Sequence, residues 1–600
     1  MGRRLFAAFV ALTLALASAA GAATPPPSFR ALRFEGNRAF SERALYGAMG
    51  LSKPGPLRLF RKRGRLQADD LAARLGELRL FYQRRGYFDA SVDLVPLNAQ
   101  TAVVRIREGK PSRVASVALV FPGWGRPTPE GLEPPEELGR IPLQPGRRFD
   151  VDAYEESQRV LTGLWKEAGF PFAAATGDAE VDLAAREVRA TFAVVPGHRL
   201  SFGEVAFEGR GRAEEALLRR GLAFRQGHIY KQSLVDRSVE NLTRLGLFDQ
   251  VAVAVEEAPA ESVRVVFRLR EGKARKLKVG AGYGNDEQLR GQVGWETAQL
   301  GDRTLTVGAR LYGSGLENEM GGYLKRPFFW GESSAFNVDL RVGKRRERAF
   351  DYQYLDARAG LDKGFGAGFR AGFYGRAERV LQVSQDQALD AALRAGNSQV
   401  DTLASVLLGV TYTRTDNPVA PSRGLMASLT AEPTRALDAR VNFTRTLLDG
   451  RWYVPAGEDK VVALKLRTGR IFSGKDPSEI PLSRRFYAGG ANSVRGYRYN
   501  GLGPLSANGA LLGGSALFEA STEFRFPVKK DVSGVVFLDA GNAFPSTVDL
   551  RRLSLYSGTG FGARLKTPVG PVGVDLAFKL KRDPLDRSPY YFYLFIGYSF

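Results

Sequence analysis

In the last stretch of the chain, residues 590–600, Phe592, Leu594, Ile596, Tyr598 and Phe600 share one side of an extended backbone. Tyr591, Tyr593, Phe595, Gly597 and Ser599 take the other. A period of two belongs to strands. A half-buried soluble strand tends to show a clearly polar second face, but here both faces carry aromatic rings. The interfacial girdles of a membrane β-barrel account for that richness. The same alternation recurs upstream. Leu305, Val307, Ala309 and Leu311 oppose Thr306, Gly308, Arg310 and Tyr312, while Phe336, Val338, Leu340 and Val342 oppose Asn337, Asp339 and Arg341. Leu576, Phe578 and Leu580 oppose Asp575 and Lys579. Residues 276–600 number 325. At roughly ten residues per spanning strand plus connections, they predict an antiparallel transmembrane barrel of about sixteen strands.

The other end of the chain reads as a secretory signal peptide over 1–22. Arg3 and Arg4 are its charged region, Leu5 to Ala17 its short apolar run, and Ala20-Gly21-Ala22 its small-residue cleavage site. The 600 residues hold no cysteine, which removes disulfide scaffolds and a thiol nucleophile. The two histidines, 198 and 228, stand far apart, so no metal site, cofactor or catalytic residue is expected. A formal net charge of +22 brings nucleic acid into consideration. An exported chain argues against nucleic acid. Anionic lipids or lipopolysaccharide phosphates suit it better.

Between these ends lie three segments on one plan. The first, 25–110, opens with FRALRFEGN at 29–37. A helical stripe of Leu71, Leu75, Leu78 and Tyr82 follows and stops at Gly86. Two strands then close on Glu108-Gly109-Lys110. The third, 199–274, opens with LSFGEVAFEG at 200–209. Its helix aligns Val235, Val239 and Leu242 and stops at Gly246, and the segment closes on Glu271-Gly272-Lys273. The second, 111–198, is looser and contains a proline-rich insertion at 123–145. Each unit reads β-α-α-β-β. A basic run at 58–65, RLFRKRGR, suits an acidic partner, lipid headgroups or plain solvation.

Within the barrel half, residues 486–503 (FYAGGANSVRGYRYNGLG) form a long glycine-rich loop carrying Arg495, Gly496 and Tyr497. Two strand-like segments follow it, SALFEASTEFRF with Glu523 and GVVFLDAGNAF with Asp539 and Gly541. Glu519, Ser521, Glu523 and Arg525 share parity, as do Phe537 and Asp539, opposite Phe518, Phe524 and Leu538. Both acids therefore point to the lumen. A guanidinium forks onto carboxylates with directional bonds, so Arg495 is expected to latch the loop onto Asp539 and Glu523. In a partly wet lumen each pair would contribute about 1–3 kcal/mol.

The tail, the loop and the repeats together resemble the outer-membrane assembly superfamily that includes BamA, TamA and the two-partner secretion transporters. Val494-Arg495-Gly496-Tyr497 matches that family's Val-Arg-Gly-Phe/Tyr loop tip, and Phe537-Leu538-Asp539-Ala540-Gly541 its Phe-x-Asp-x-Gly strand. Glu523-Phe524 before Pro527 matches a second acidic position. Asp416-Asn417-Pro418 with Pro421-Ser422-Arg423-Gly424 matches a turn, with Ser in place of Thr. Phe600 matches the terminal aromatic. The repeats resemble POTRA domains, which implies periplasmic modules that bind partners or substrates by strand addition at an open sheet edge.

Three such repeats and Ala488-Gly489-Gly490 point within the family to a TamA-like member. That implies a TamB-like envelope-spanning partner, unfolded outer-membrane proteins as substrates, and insertion or export of barrel and autotransporter-type proteins through a lateral gate. The gate would be a weak seam between the first strand, with Gly280, Gly282 and Gly284, and the last, with Tyr598 and Phe600. A two-partner secretion transporter and a BamA-like general insertase are the alternatives. An outer-membrane hydrolase would need a Ser/His/acid set, and both histidines precede the barrel.

Overall fold

A computed structural model describes residues 28–29, 31–51, 66–98, 101–123, 138–298, 305–347, 350–385, 400–438, 441–457, 459–474, 479–507, 509–529, 531–546, 554–567, 572–583 and 586–596. The signal-like segment 1–22, the basic run 58–65, most of the proline-rich insertion, and Tyr598 and Phe600 lie outside these residues. The chain divides into two compact units, Met1–Gly197 and His198–Phe600.

The first unit holds two α/β repeats. In the first, β1 (Ser28–Phe29) pairs with β3 (Leu66–Gln67). The main sheet uses β2 (Ala31–Glu35), β4 (Ser91–Asn98) and β5 (Thr101–Arg107), with β5 central and parallel to β2. Two helices, α1 (Glu42–Ala48) and α2 (Ala68–Arg84), cover it. Ser41 caps α1 by accepting from Ala44 N at 3.3 Å. Leu71, Leu78 and Tyr82 of α2 are buried with Val104 and Ile106. Tyr82 Oη donates to Glu108 Oε1 at 3.0 Å, and the same carboxylate accepts from Ala39 N at 2.9 Å. Burial and that bond hold the Tyr82 phenol well above its ordinary range.

The second repeat has β6 (Arg113–Val120), α3 (Val151–Glu167), β7 (Ala174–Asp182) and β8 (Glu187–Val195), with β8 central. Its core is built around Leu161, Trp165 and Phe192. The described residues hold one complete helix here, with a further helical turn at 138–140. The repeats meet through Arg84, which donates to Asp152 at 2.9 Å and Glu155 at 3.2 Å.

The third repeat belongs to the second unit. It comprises β9 (Ser201–Glu208), α4 (Glu215–Arg220), α5 (Gln232–Arg244), β10 (Phe248–Ala258) and β11 (Ser262–Glu271), with β11 central. The turn glycines Gly36 and Gly209 are equivalent in the first and third repeats. Each has a positive φ, and a Cβ on either would meet a carbonyl of the repeat's last strand, Ile106 O at 2.1 Å or Leu269 O at 2.2 Å. This close approach explains the shared Phe-Glu-Gly.

β11 passes almost directly into a sixteen-stranded antiparallel sheet, β12 (Arg275–Gly284) through β27 (Tyr590–Ile596), each strand paired with the next. Leu277, Val279, Leu311, Leu340, Phe373, Leu429, Leu538, Phe561 and Phe592 stand exposed on its outer face. Arg495, Glu519, Glu523, Asp539 and Asp575 are buried inside. Apolar out and polar in is the pattern of a membrane barrel. Among the described residues no helix is long and apolar enough to cross a membrane.

The barrel end next to the third repeat is fixed to it. Phe328, in the turn between β15 (Glu317–Pro327) and β16 (Ser334–Arg346), is 5% exposed and belongs to the third repeat's core. Asn241 of α5 donates to Glu332 Oε2 at 3.1 Å and accepts from Ser333 Oγ at 3.1 Å. Truncating Phe328 to Ala leaves a cavity in that core and should cost about 3–5 kcal/mol. Limited proteolysis should then cut the third repeat while the barrel keeps its heat-modifiable gel migration.

At the same end, the Asp416–Ser422 turn is built on one carboxylate. Asp416 Oδ1 accepts from the backbone N–H groups of Asn417, Ser422 and Arg423 at 3.0, 2.9 and 3.1 Å, and Oδ2 accepts from the Ser422 hydroxyl. The Ser422 hydroxyl, with these N–H groups, lowers the Asp416 carboxyl to about 2. Its folded value therefore lies below the unfolded one, near 3.9. The stabilisation is complete above about pH 4 and disappears as pH falls towards about 2. Asp416→Asn should lower thermal stability at pH 6, and the difference from the parent should vanish near pH 2.

Candidate functional site

Loop 479–515, between β22 (Val461–Ser473) and β23 (Ala516–Lys529), folds into the barrel. Val494 and Tyr497 are fully buried and Arg495 is 3% exposed. Arg495 Nε and Nη2 donate to Asp539 Oδ2 and Oδ1 at 2.7 and 3.0 Å, and its own backbone N–H reaches the same carboxylate at 3.1 Å. Nη1 donates to Glu523 Oε2 and Asp575 Oδ2, both at 3.1 Å. The guanidinium lies 3.4 Å from the centre of the Phe537 ring.

Glu523 is on β23, Asp539 on β24 (Val532–Phe544) and Asp575 on β26 (Val572–Lys579). Arg525 donates to Glu523 at 2.7 Å, and Arg564, on β25 (Tyr556–Leu565), donates to Asp575 Oδ2 at 3.0 Å. Three guanidinium groups thus face three carboxylates. The acids expected from strand parity, Glu523 and Asp539, are both in contact with Arg495. The structure adds Asp575 and shows the cluster to be buried.

Glycines let the loop approach the wall. Gly496 has φ +97° and lies against Phe578, and a Cβ on Gly558 would stand 1.9 Å from the carbonyl oxygen of Arg495. Gly541 passes beneath Val494, where a Cβ would meet its Cγ2 at 3.0 Å. Tyr497 Oη donates into the Ser557 and Lys581 carbonyls, 2.9 and 2.7 Å away. Tyr593 Oη on β27 accepts from Gly496 N at 3.1 Å and donates to Tyr497 O at 3.0 Å.

A second anchor, with no motif to announce it, sits across the lumen. Arg484 pairs with Glu378 and lies 3.6 Å from Glu432. Arg376 binds Asp356, Glu432 and Glu378 at 2.9, 3.0 and 3.1 Å.

The edges of the sheet are β12 and β27, and among the described residues no ladder joins them. A Cβ on Gly280 or Gly282 would meet the side chains of Gln292 and Arg290, and one on Gly284 would lie 3.9 Å from the Leu594 carbonyl oxygen. Asn285 donates to the Phe592 carbonyl, and Asp286 Oδ2 accepts from Ala491 N of the loop at 2.8 Å. Burial holds the Asp286 carboxyl above its ordinary range. Loop 479–515 therefore touches both edges, β12's hairpin through Asp286 and β27 through Tyr593.

α/β repeats followed by an antiparallel barrel, with a loop arginine held on its inner wall, define an outer-membrane barrel of the POTRA-bearing class. Residues 270–600 match the Omp85 superfamily domain, and residues 27–109 and 200–272 match the surface antigen variable number repeat, POTRA. The chain belongs to the Omp85 superfamily. It is an outer-membrane protein with its repeats in the periplasm.

It is 22% identical to the outer membrane protein assembly factor BamA of Neorickettsia risticii, over 94% of this chain and 77% of that one. With the BamA of Neisseria meningitidis it shares 23% over 93% and 76%. The crystal structure of BamA from Haemophilus ducreyi lacking POTRA domains 1–3 overlays 81% of this chain and 100% of its own at a TM-score of 0.57, with 16% identity.

Replacing Arg495 with Ala leaves three buried carboxylates short of a cation and should destabilise the barrel by about 3–5 kcal/mol. A double-mutant cycle with Asp539→Asn should give a coupling of about 0.5–3 kcal/mol, and additive effects would reject the contact. Gly558→Val should displace the loop equally although it removes no charge, and trypsin should then cut at Arg495 or Arg498.

Proposed function

We propose that this protein assembles β-barrel and autotransporter-type proteins into the outer membrane through the seam between β12 and β27. The observation that carries this reading is the seam itself. Two neighbouring edge strands lack a ladder among the described residues, and each is tied to the same loop. An unpaired strand edge offers backbone donors and acceptors to an incoming strand. In hydrocarbon those groups must be satisfied, so a client strand that pairs there is held until its own barrel closes. Gly280, Gly282 and Gly284 weaken the pairing of β12 and ease its exchange. Loop 479–515 holds the seam shut through Asp286 and Tyr593, while the Arg495 cluster sets its position.

The repeats deliver the client. Among the described residues β2 and β4, β7 and β10 are edges of the three sheets without a further ladder, while β6 and β9 are covered only at their first residues by 146–149 and 227–230. The three repeats and Ala488-Gly489-Gly490 favour a TamA-like role with a TamB-like envelope-spanning partner. The work is non-covalent and is driven by burial and pairing of the client. The relatives' name, outer membrane protein assembly factor, agrees with this reading.

The chain lacks cysteine, so engineered pairs are free of background. Tyr283→Cys with Leu594→Cys places both thiols on the lipid side of the seam. Bridging them should stop assembly of a client barrel in liposomes, and reductant should restore it. Full activity of the bridged protein would rule out the seam as the route.

A further inference from the structure

The outer wall of the barrel, away from the loop network, carries a groove of 490 Å³. It crosses β17 (Phe350–Gly366), β18 (Phe369–Gln385), β19 (Val400–Thr415) and β20 (Gly424–Ala436). Ala371 and Ala431 form its floor, and the larger Phe365, Phe373, Leu408 and Leu429 stand up around them. These side chains point away from the lumen, since their strand neighbours Asp362, Tyr374 and Arg376 bond inside it. The size lies within the range of about 300–1,000 Å³ usual for small-molecule sites, and so does a lining that is apolar with few polar groups.

One end of the groove is closed by Trp330 and Lys363. Trp330 is 73% exposed and sits in the turn whose Phe328 enters the third repeat, so this is the periplasmic end. Lys363 Nζ donates to the Trp330 and Glu332 carbonyls at 3.0 and 3.2 Å. An ammonium has three donors. These two bonds fix its position and leave one N–H for an acceptor in the headgroup layer. Trp beside Lys at such a depth marks the interface.

We propose that this groove binds one glycerophospholipid of the periplasmic leaflet, with an acyl chain on the Ala371–Ala431 floor and the phosphate on Lys363. Lipid tails are as apolar as leucine, so burial alone gives a groove in the bilayer no preference. Selectivity comes from the shape of the floor and from the charge-assisted bond to the phosphate.

The test is native mass spectrometry on the full chain in maltoside micelles, supplied with palmitoyl-oleoyl phosphatidylethanolamine or with dioleoylglycerol. One phosphatidylethanolamine should stay bound per protein, and the diacylglycerol, which has no phosphate, should not. Lys363→Gln should lower the retained fraction at least tenfold. Ala431→Phe fills the floor without touching Lys363 and should do the same, so either variant decides if the other fails the heat-modifiability check for folding. Leu311→Phe, elsewhere on the lipid face, should change nothing. Equal retention of both lipids, or retention unchanged in the folded groove variants, would overturn the site and leave only unspecific annular lipid.

Discussion

A guanidinium taken out of water needs acceptors for its donors, or its burial is prohibitively costly. Arg495 finds acceptors for four of its five guanidinium N–H groups, two on Asp539, which also takes its backbone N–H, and one each on Glu523 and Asp575. The three carboxylates depend on it in turn, because Arg525 and Arg564 alone leave one negative charge unbalanced. Buried ion pairs are weak sources of net stability. Their strength here is directional. The loop fits in one position, and with it Val494, Gly496 and Tyr497.

The opposite wall supplies the second fixed point. Arg484, near the start of the loop, enters the cluster of Glu378, Glu432 and Arg376. A segment held at both ends crosses the lumen as a tie between two walls. Between the anchors lie Ala491 and Ser493, which meet Asp286 of the first hairpin and Glu519 of β23. The loop between the anchors thus also contacts the first hairpin, with Asp286 the link.

Much of this was legible in the sequence because strands obey strict parity. Phe518, Phe524 and Leu538 fix the lipid face, so Glu523 and Asp539 must face inward, and a loop arginine of matching chemistry suggests their partner. Asp575 had the same signal, opposite Leu576 and Phe578, but no local motif set it apart from other lumenal acids. Tyr593 was read as part of an aromatic girdle. Its lumenal parity was visible, but its bond to Gly496 depends on the closure of the whole sheet. The Arg484 cluster gathers Asp356, Glu378, Glu432 and Arg484 from four separate segments, which no periodicity brings together. The second repeat blurred because its landmarks differ: Phe121-Pro122-Gly123 stands where the others have Phe-Glu-Gly, and it closes on Val195-Pro196-Gly197 in place of Glu-Gly-Lys.

Among the described residues the loop, rather than a ladder, links the two edges. A full row of hydrogen bonds between β12 and β27 would satisfy every backbone group in the hydrocarbon layer, and such a barrel would have no edge to offer. A wide-open seam would leave those groups unpaired in lipid at several kcal/mol each. Contacts at the upper end of the seam avoid both extremes. Asn285 on the Phe592 carbonyl, Asp286 on the loop and Tyr593 on Gly496 hold the two edges together while committing few of their backbone groups. The polar interior that binds Arg495 is thus coupled to the apolar exterior where the edges meet.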